Sequence, residues 1–255
     1  MPFNNNLSNN ERLSIHVFEN GLSFYDNSSI FFFDFESCKN QIEKNLIFFL
    51  KNNTLDEFKK VRCIFFNEPA TFVPFSIFDP AKVEVYLKQN ISLNSTKKEY
   101  FDETDDKSIK IIYQLRNDLI KILQRNFNEI LFSHYTKILY DRIINHLDEV
   151  SNFKIYIHLH ENIFDILLFQ NKKLLLYNTY PHKNHEDFLF FLLAVIDQFT
   201  TNSGKIFIFF LGRYNRFINY YNSIQIYQKE IIYLEDNEYS ISSLEKHPAP
   251  YFINF

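Results

Sequence analysis

Apolar and polar residues alternate over residues 13–17, the period-two signature of a half-buried strand. Glu19-Asn20-Gly21 supplies turn chemistry, with Gly21 free to adopt positive φ, and residues 22–25 read as the return strand of a hairpin. Asp26-Asn27-Ser28-Ser29 turns the chain again, and residues 30–35 form a third predicted strand. Over residues 36–53 the apolar spacing becomes helical, with Ile42, Leu46, Phe49 and Leu50 on one face. Residues 61–66 are a continuous apolar run, as expected for a strand buried on both faces.

The same order returns in the second half. Residues 153–159 alternate, Glu161-Asn162 turns, and residues 163–169 read as a strand. Asn171-Lys172 turns again, residues 174–177 form a third strand, and an apolar helix is predicted over residues 185–199. Residues 205–211 complete the unit as a buried strand. Strand–strand–strand–helix–strand therefore occurs twice, offset by roughly 140–147 residues, a pattern repeat rather than an identity repeat. Between the repeats, residues 75–90 hold a short helix and residues 94–107 read as an exposed polar loop. Residues 110–113 and 130–135 are predicted strands. Residues 117–127, with Asn117 as N-cap, and 136–147 are predicted helices. After the second repeat, residues 213–221 read as helix and 224–227 as strand. The division expected is a disordered leader over 1–11, an N-terminal lobe with inserted helices over 12–150, and a C-terminal lobe over 151–255.

Composition narrows the classes. The 255 residues include 31 Phe and 16 Tyr but only 3 Gly, which excludes a disordered or linker-like chain. Lys and Arg total 27 against 31 Asp and Glu, without a basic block, so no nucleic-acid partner is expected. The longest apolar run, residues 188–196, is too short to span a bilayer, and no membrane span is expected. Cys38 and Cys63 lie on different elements, which favours a reduced, cytoplasmic protein.

A duplicated βββαβ unit resembles the actin-like ATPase fold, a ribonuclease H-like α/β architecture with mixed sheets in two lobes. Two stretches are more specific. Ala70-Thr71-Phe72-Val73-Pro74-Phe75-Ser76-Ile77-Phe78-Asp79, followed by Tyr86-Leu87, looks like a segment of the bacterial domain-of-unknown-function family 3822 of Bacteroidota. Asn178-Thr179-Tyr180, Glu186-Asp187-Phe188 and the helix to Gln198-Phe199 are similar to a second segment of it, and Leu211-Gly212 fits its final strand and glycine. Phe190-Phe191 stand where the family usually has two tyrosines, and Asp197 where it has Glu. The resemblance implies an actin-like fold with no established activity.

In an actin-like ATPase both hairpins act as phosphate loops, whose backbone N–H groups approach the phosphates while a carboxylate orders Mg²⁺ through water. Here the first turn carries Glu19 and Gly21, the second, His160-Glu161-Asn162-Ile163, has no glycine, and the adenosine-side loop keeps only Gly212, followed by Arg213. Glu19, Gly21 and Gly212 are thus degenerate nucleotide-site positions. No catalytic residue and no cofactor are expected, and the chain reads as a non-catalytic scaffold that binds an unknown protein partner. The alternative is a divergent protein that binds ATP with magnesium.

His158 and His160 share one strand face, but spacing supplies no third ligand, and a solvent-facing strand edge is the expected setting. His182-Lys183-Asn184-His185-Glu186-Asp187 resembles a metal cluster by composition, but His185 and Asp187 sit at a helix start, where capping is the expected role. No metal site is therefore expected. Cys63 reads as a buried, inert thiol, and the helix over 188–196 as a buried central helix, with a partner-docking surface as its alternative.

Overall fold

The computed structural model describes residues 12–18, 21–25, 30–34, 42–52, 58, 60–66, 68–147, 152–199, 205–211, 214–234 and 249. The expected leader and Cys38 lie outside them. The chain divides into two compact units, residues 1–145 with 252–255, and residues 146–251.

In the first unit, β1 (Arg12–Phe18) pairs antiparallel with β2 (Gly21–Tyr25), and β2 with β3 (Ile30–Asp34). The helix α1 (Ile42–Asn52) follows, and β4 (Lys60–Phe65) returns parallel to β1. Leu13, Ile15 and Val17 are buried, as are Leu46, Phe49 and Leu50 of α1, and the Phe24 ring stacks on Phe49. The intervening Ser14 and His16 are also buried, so both faces of β1 are covered. Cys63 of β4 is buried, and burial pushes its thiol pKa up, as an inert thiol requires.

The chain then departs from the repeat. β5 (Ala70–Pro74), α2 (Val83–Lys88), β6 (Lys97–Glu103) and β7 (Ile109–Arg116) build a three-stranded antiparallel sheet, ordered β5-β7-β6. Residues 94–107, expected to be an exposed loop, thus contain a strand. Its polarity is used in pairing: Lys97 with Glu68, Glu103 with Lys110, and Gln114 Nε2 donating to Glu99 Oε1 at 3.0 Å. The family-like segment gains a physical reading here. Val73 and Leu87 are buried with Ile112, the Tyr86 hydroxyl donates to the Ile77 carbonyl at 2.6 Å, and Asp79 Oδ1 caps the following turn by accepting from Ala81 N–H at 3.0 Å.

The helix α3 (Asn117–Asn126) leads to β8 (Ile130–His134), parallel to β4, and α4 (Tyr135–His146) follows. The first main sheet is therefore ordered β3-β2-β1-β4-β8.

The second unit repeats that order. β9 (Phe153–Leu159), β10 (Ile163–Gln170) and β11 (Lys173–Pro181) form an antiparallel meander, and Asn171 and Lys172 turn it with φ of 50° and 59°. Then come α5 (His185–Phe199), β12 (Ile206–Leu211), α6 (Tyr214–Gln225) and β13 (Ile231–Tyr233), giving the order β11-β10-β9-β12-β13. The repeated unit is longer than expected, because each sheet adds a helix and a fifth strand. Residues 224–227, expected to be a strand, begin inside α6, and the strand lies further on at β13.

Ile155, Ile157, Phe164, Ile166, Phe188, Leu192, Val195 and Phe210 form the core of this unit. The helix α5 is one-sided rather than buried all round, since Phe190 is 69% exposed. Two side chains cap its start: Asn184 Oδ1 accepts from Asp187 N–H at 2.9 Å, and Asp187 Oδ2 accepts from Lys183 N–H at 3.0 Å. Asp187 caps as expected, but the partner is Asn184, while His185 lies against Glu186. Among the described residues, no helix is long and apolar enough to cross a membrane.

Candidate functional site

The β9–β10 hairpin concentrates the polar chemistry of the second unit. Its turn is tight: His160 N–H donates to the Ile163 carbonyl at 2.9 Å, and Leu159 pairs with Phe164. That register sets His158 opposite Asp165 on the neighbouring strand. His158 and His160, two residues apart, share a face with Asp165. Leu159, Phe164 and Ile166 point the other way, into the core.

Both imidazoles converge on one carboxylate oxygen. His160 Nε2 lies 3.0 Å from Asp165 Oδ2, and His158 Nδ1 lies 3.5 Å from it. The other oxygen, Oδ1, accepts from Thr179 Oγ1 at 2.7 Å and from the Tyr177 hydroxyl at 3.4 Å, both on β11. Asp165 is 0% exposed, His158 1% and His160 15%. A solvent-facing strand edge is thus not the setting of these histidines. β9 lies inside its sheet, between β10 and β12.

Burial alone would raise the Asp165 pKa, but the adjacent imidazoles of His158 and His160 outweigh it and hold the carboxyl below the usual range. Burial pushes His158 down to about 4, His160 adds to that, and Asp165 opposes it. The carboxylate is therefore ionised at neutral pH beside a neutral His158. Among the described residues, His158, His160 and Asp165 form a group of three metal-competent side chains whose ligand atoms lie within 4.8 Å of one another.

A third histidine secures the turn. His182 Nε2 lies 3.0 Å from the His160 carbonyl and 3.2 Å from that of Ile163, while its Nδ1 lies 2.9 Å from the Tyr220 hydroxyl on α6. His182 N–H donates to the Asn162 carbonyl at 2.9 Å. Glu161, at the tip, is ion-paired with Arg216 of α6.

The first hairpin has the same register at a constant offset of 142 residues: His16 faces Ser23 as His158 faces Asp165. Its chemistry is poorer. Phe18 stands where the second hairpin has His160, Ser23 stands where it has Asp165, and His16 Nε2 is paired with Ser14 Oγ at 3.0 Å. Gly21 begins β2, opposite Phe18 and Asp34. Glu19 and Gly212, the other nucleotide-site positions named from the sequence, lie outside the described residues, so the three are not seen together. Asp165 was the residue missed. Its signal was available, because a two-residue turn at Glu161-Asn162 places residues 158 and 165 opposite each other.

The same architecture occurs in known structures. Over 88% of this chain and 90% of the other, it matches a Bacteroides thetaiotaomicron protein with an actin-like ATPase fold and unknown function, at a TM-score of 0.75 and 18% identity. It also matches a chain of the PilM–PilN type IV pilus biogenesis complex, over 95% of this chain and 96% of that one, at a TM-score of 0.57 and 9% identity. None of the curated proteins compared with the chain matches it. The architecture is the actin-like ATPase fold, as the duplicated strand pattern implied. With residues 2–231 matching its family profile, the chain belongs to the family described as "Protein of unknown function (DUF3822)".

Proposed function

We propose that this protein is a non-catalytic actin-like scaffold that binds another protein, with a cytoplasmic location. One observation carries the reading: the second hairpin is occupied by its own side chains. A phosphate loop needs backbone that a phosphate can approach and a carboxylate free to order hydrated magnesium. Here the turn lacks glycine, and its tip residue Glu161 is ion-paired with Arg216. Asp165, the buried carboxylate beside the turn, is taken up by His158, His160, Thr179 and Tyr177. Fold alone does not set function. The similar fold of PilM, found in a complex with PilN, is nonetheless compatible with a protein partner.

The test is recovery of the full chain from its native cell under conditions that preserve weak complexes, followed by reconstitution of any co-purifying protein from purified components. A stoichiometric complex that reforms from the two purified proteins supports the scaffold reading. Recovery of the chain alone counts against it. A rise in thermal midpoint with Mg·ATP, Mg·ADP or Mg·GTP would favour the divergent nucleotide-binding alternative, because a ligand of the folded state must stabilise it.

A further inference from the structure

We propose that His158, His160 and Asp165 form a binding site for one divalent transition-metal ion of the zinc class, clamping β9 to β10 beneath the turn. The site uses the same side chains from which the scaffold reading is argued, but its test reads metal binding and not a protein partner.

The donor set suits such an ion. Two imidazoles and a carboxylate match Zn²⁺ and its neighbours, rather than Mg²⁺ or Ca²⁺, which prefer oxygen ligands in greater number. The spacing suits it too. Bonds of about 2.0–2.2 Å in a tetrahedral zinc site set neighbouring ligand atoms about 3.3 Å apart. The separations of Asp165 Oδ2 from His160 Nε2 and His158 Nδ1, 3.0 and 3.5 Å, bracket that value. All three ligand atoms lie within 4.8 Å of one another, close enough for one ion to reach them together.

The ligands are also supported from behind. Metal-binding sites hold their ligands through outer hydrogen bonds. Thr179 Oγ1 and the Tyr177 hydroxyl hold the far carboxylate oxygen, and His182 holds the His160 carbonyl while resting on Tyr220. His158 and Asp165 sit on paired strands inside a sheet, and His160 follows directly in the turn, where its N–H donates to the Ile163 carbonyl, so their relative positions are fixed before an ion arrives. Finally, a buried carboxylate is costly unless positive charge compensates it. A divalent ion supplies that charge directly, and the 15% exposure of His160 leaves one side open for entry and for a water ligand. The first hairpin, with Phe18 and Ser23 at the matching positions, lacks the donors, so one ion per chain is expected.

The test uses the full chain stripped with a chelator and titrated with zinc chloride by calorimetry. One equivalent is expected, with a dissociation constant in the micromolar range or tighter, and cobalt(II) should give the intense visible bands of a tetrahedral ion. His160→Gln should lower affinity at least 100-fold, whereas His185→Gln, on the surface of α5, should leave it unchanged. X-ray absorption on the zinc-loaded unmutated protein makes the test independent of variant folding. Two imidazole nitrogens and a light oxygen ligand support the site. No stoichiometric binding, a sulfur ligand, or full affinity in a folded His160→Gln protein would overturn it.

Discussion

Lowering the pH should destabilise the first unit through a single histidine. His16 is fully buried on β1, with Nε2 against Ser14 Oγ at 3.0 Å and the Phe66 ring 5.6 Å away. Burial lowers its pKa from 6.5 to about 3. Between those values the unfolded chain binds a proton that the folded chain does not, so folding loses stability as pH falls. The contribution is complete above pH 6.5 and declines towards pH 3. Each pH step of one across that window costs about 1.4 kcal/mol, so lowering the pH from 7.5 to 5 costs about 2 kcal/mol. That is a sizeable part of the roughly 5–15 kcal/mol typical of a domain. The assay is urea denaturation of the wild-type and His16→Gln proteins at both pH values. Gln has its own baseline cost, which cancels when the pH responses are compared. So do contributions from other groups that titrate alike in both proteins. The wild type should lose about 2 kcal/mol more than the variant on acidification. Equal losses would refute the claim that His16 is held neutral by burial.

Three further outcomes rest on the same physics. Asp102 accepts from His134 N–H at 2.7 Å and from the Tyr113 hydroxyl at 3.2 Å, yet burial raises its pKa from 3.8 to about 6. Its protonation therefore favours the fold as pH drops through 6, and Asp102→Asn should make the protein more acid-sensitive by about 1.4 kcal/mol between pH 7.5 and 5, read from the same urea curves. Phe188 is fully buried against Phe164, Phe210 and Tyr220, so Phe188→Ala should cost about 3–5 kcal/mol in equilibrium unfolding, through lost burial and the cavity left behind. The Glu161–Arg216 pair has both side chains about half exposed, and Arg216→Ala should change stability by less than about 1 kcal/mol by the same measurement.

The repeat was legible because its apolar periodicity survives in both halves. The alternation at residues 153–159 coincides with β9, and the helical run at 185–199 with α5. The inserted sheet was less visible. The period-two pattern of β6, Lys97-Lys98-Glu99-Tyr100-Phe101-Asp102-Glu103, is written largely in charges, whose partners come from β7 and Glu68. Pairing across strands, rather than local hydropathy, makes that segment a strand. The hairpin cluster was hidden for a related reason. His158 and His160 are visible as a spacing, but Asp165 joins them only once the turn fixes the register. The apolar character of residues 188–196 suggested a helix buried all round, whereas Phe190 points into solvent. Composition does not say which apolar side chains find a neighbour.

The central claim is that the fold persists here without the nucleotide chemistry its architecture commonly supports. Calorimetric titration of the purified full chain with Mg·ATP, to millimolar concentration and with phosphate release followed in parallel, tests it most directly. No saturable heat and no release above the protein-free rate are expected. Saturable one-to-one binding, or magnesium-dependent phosphate release, would contradict it.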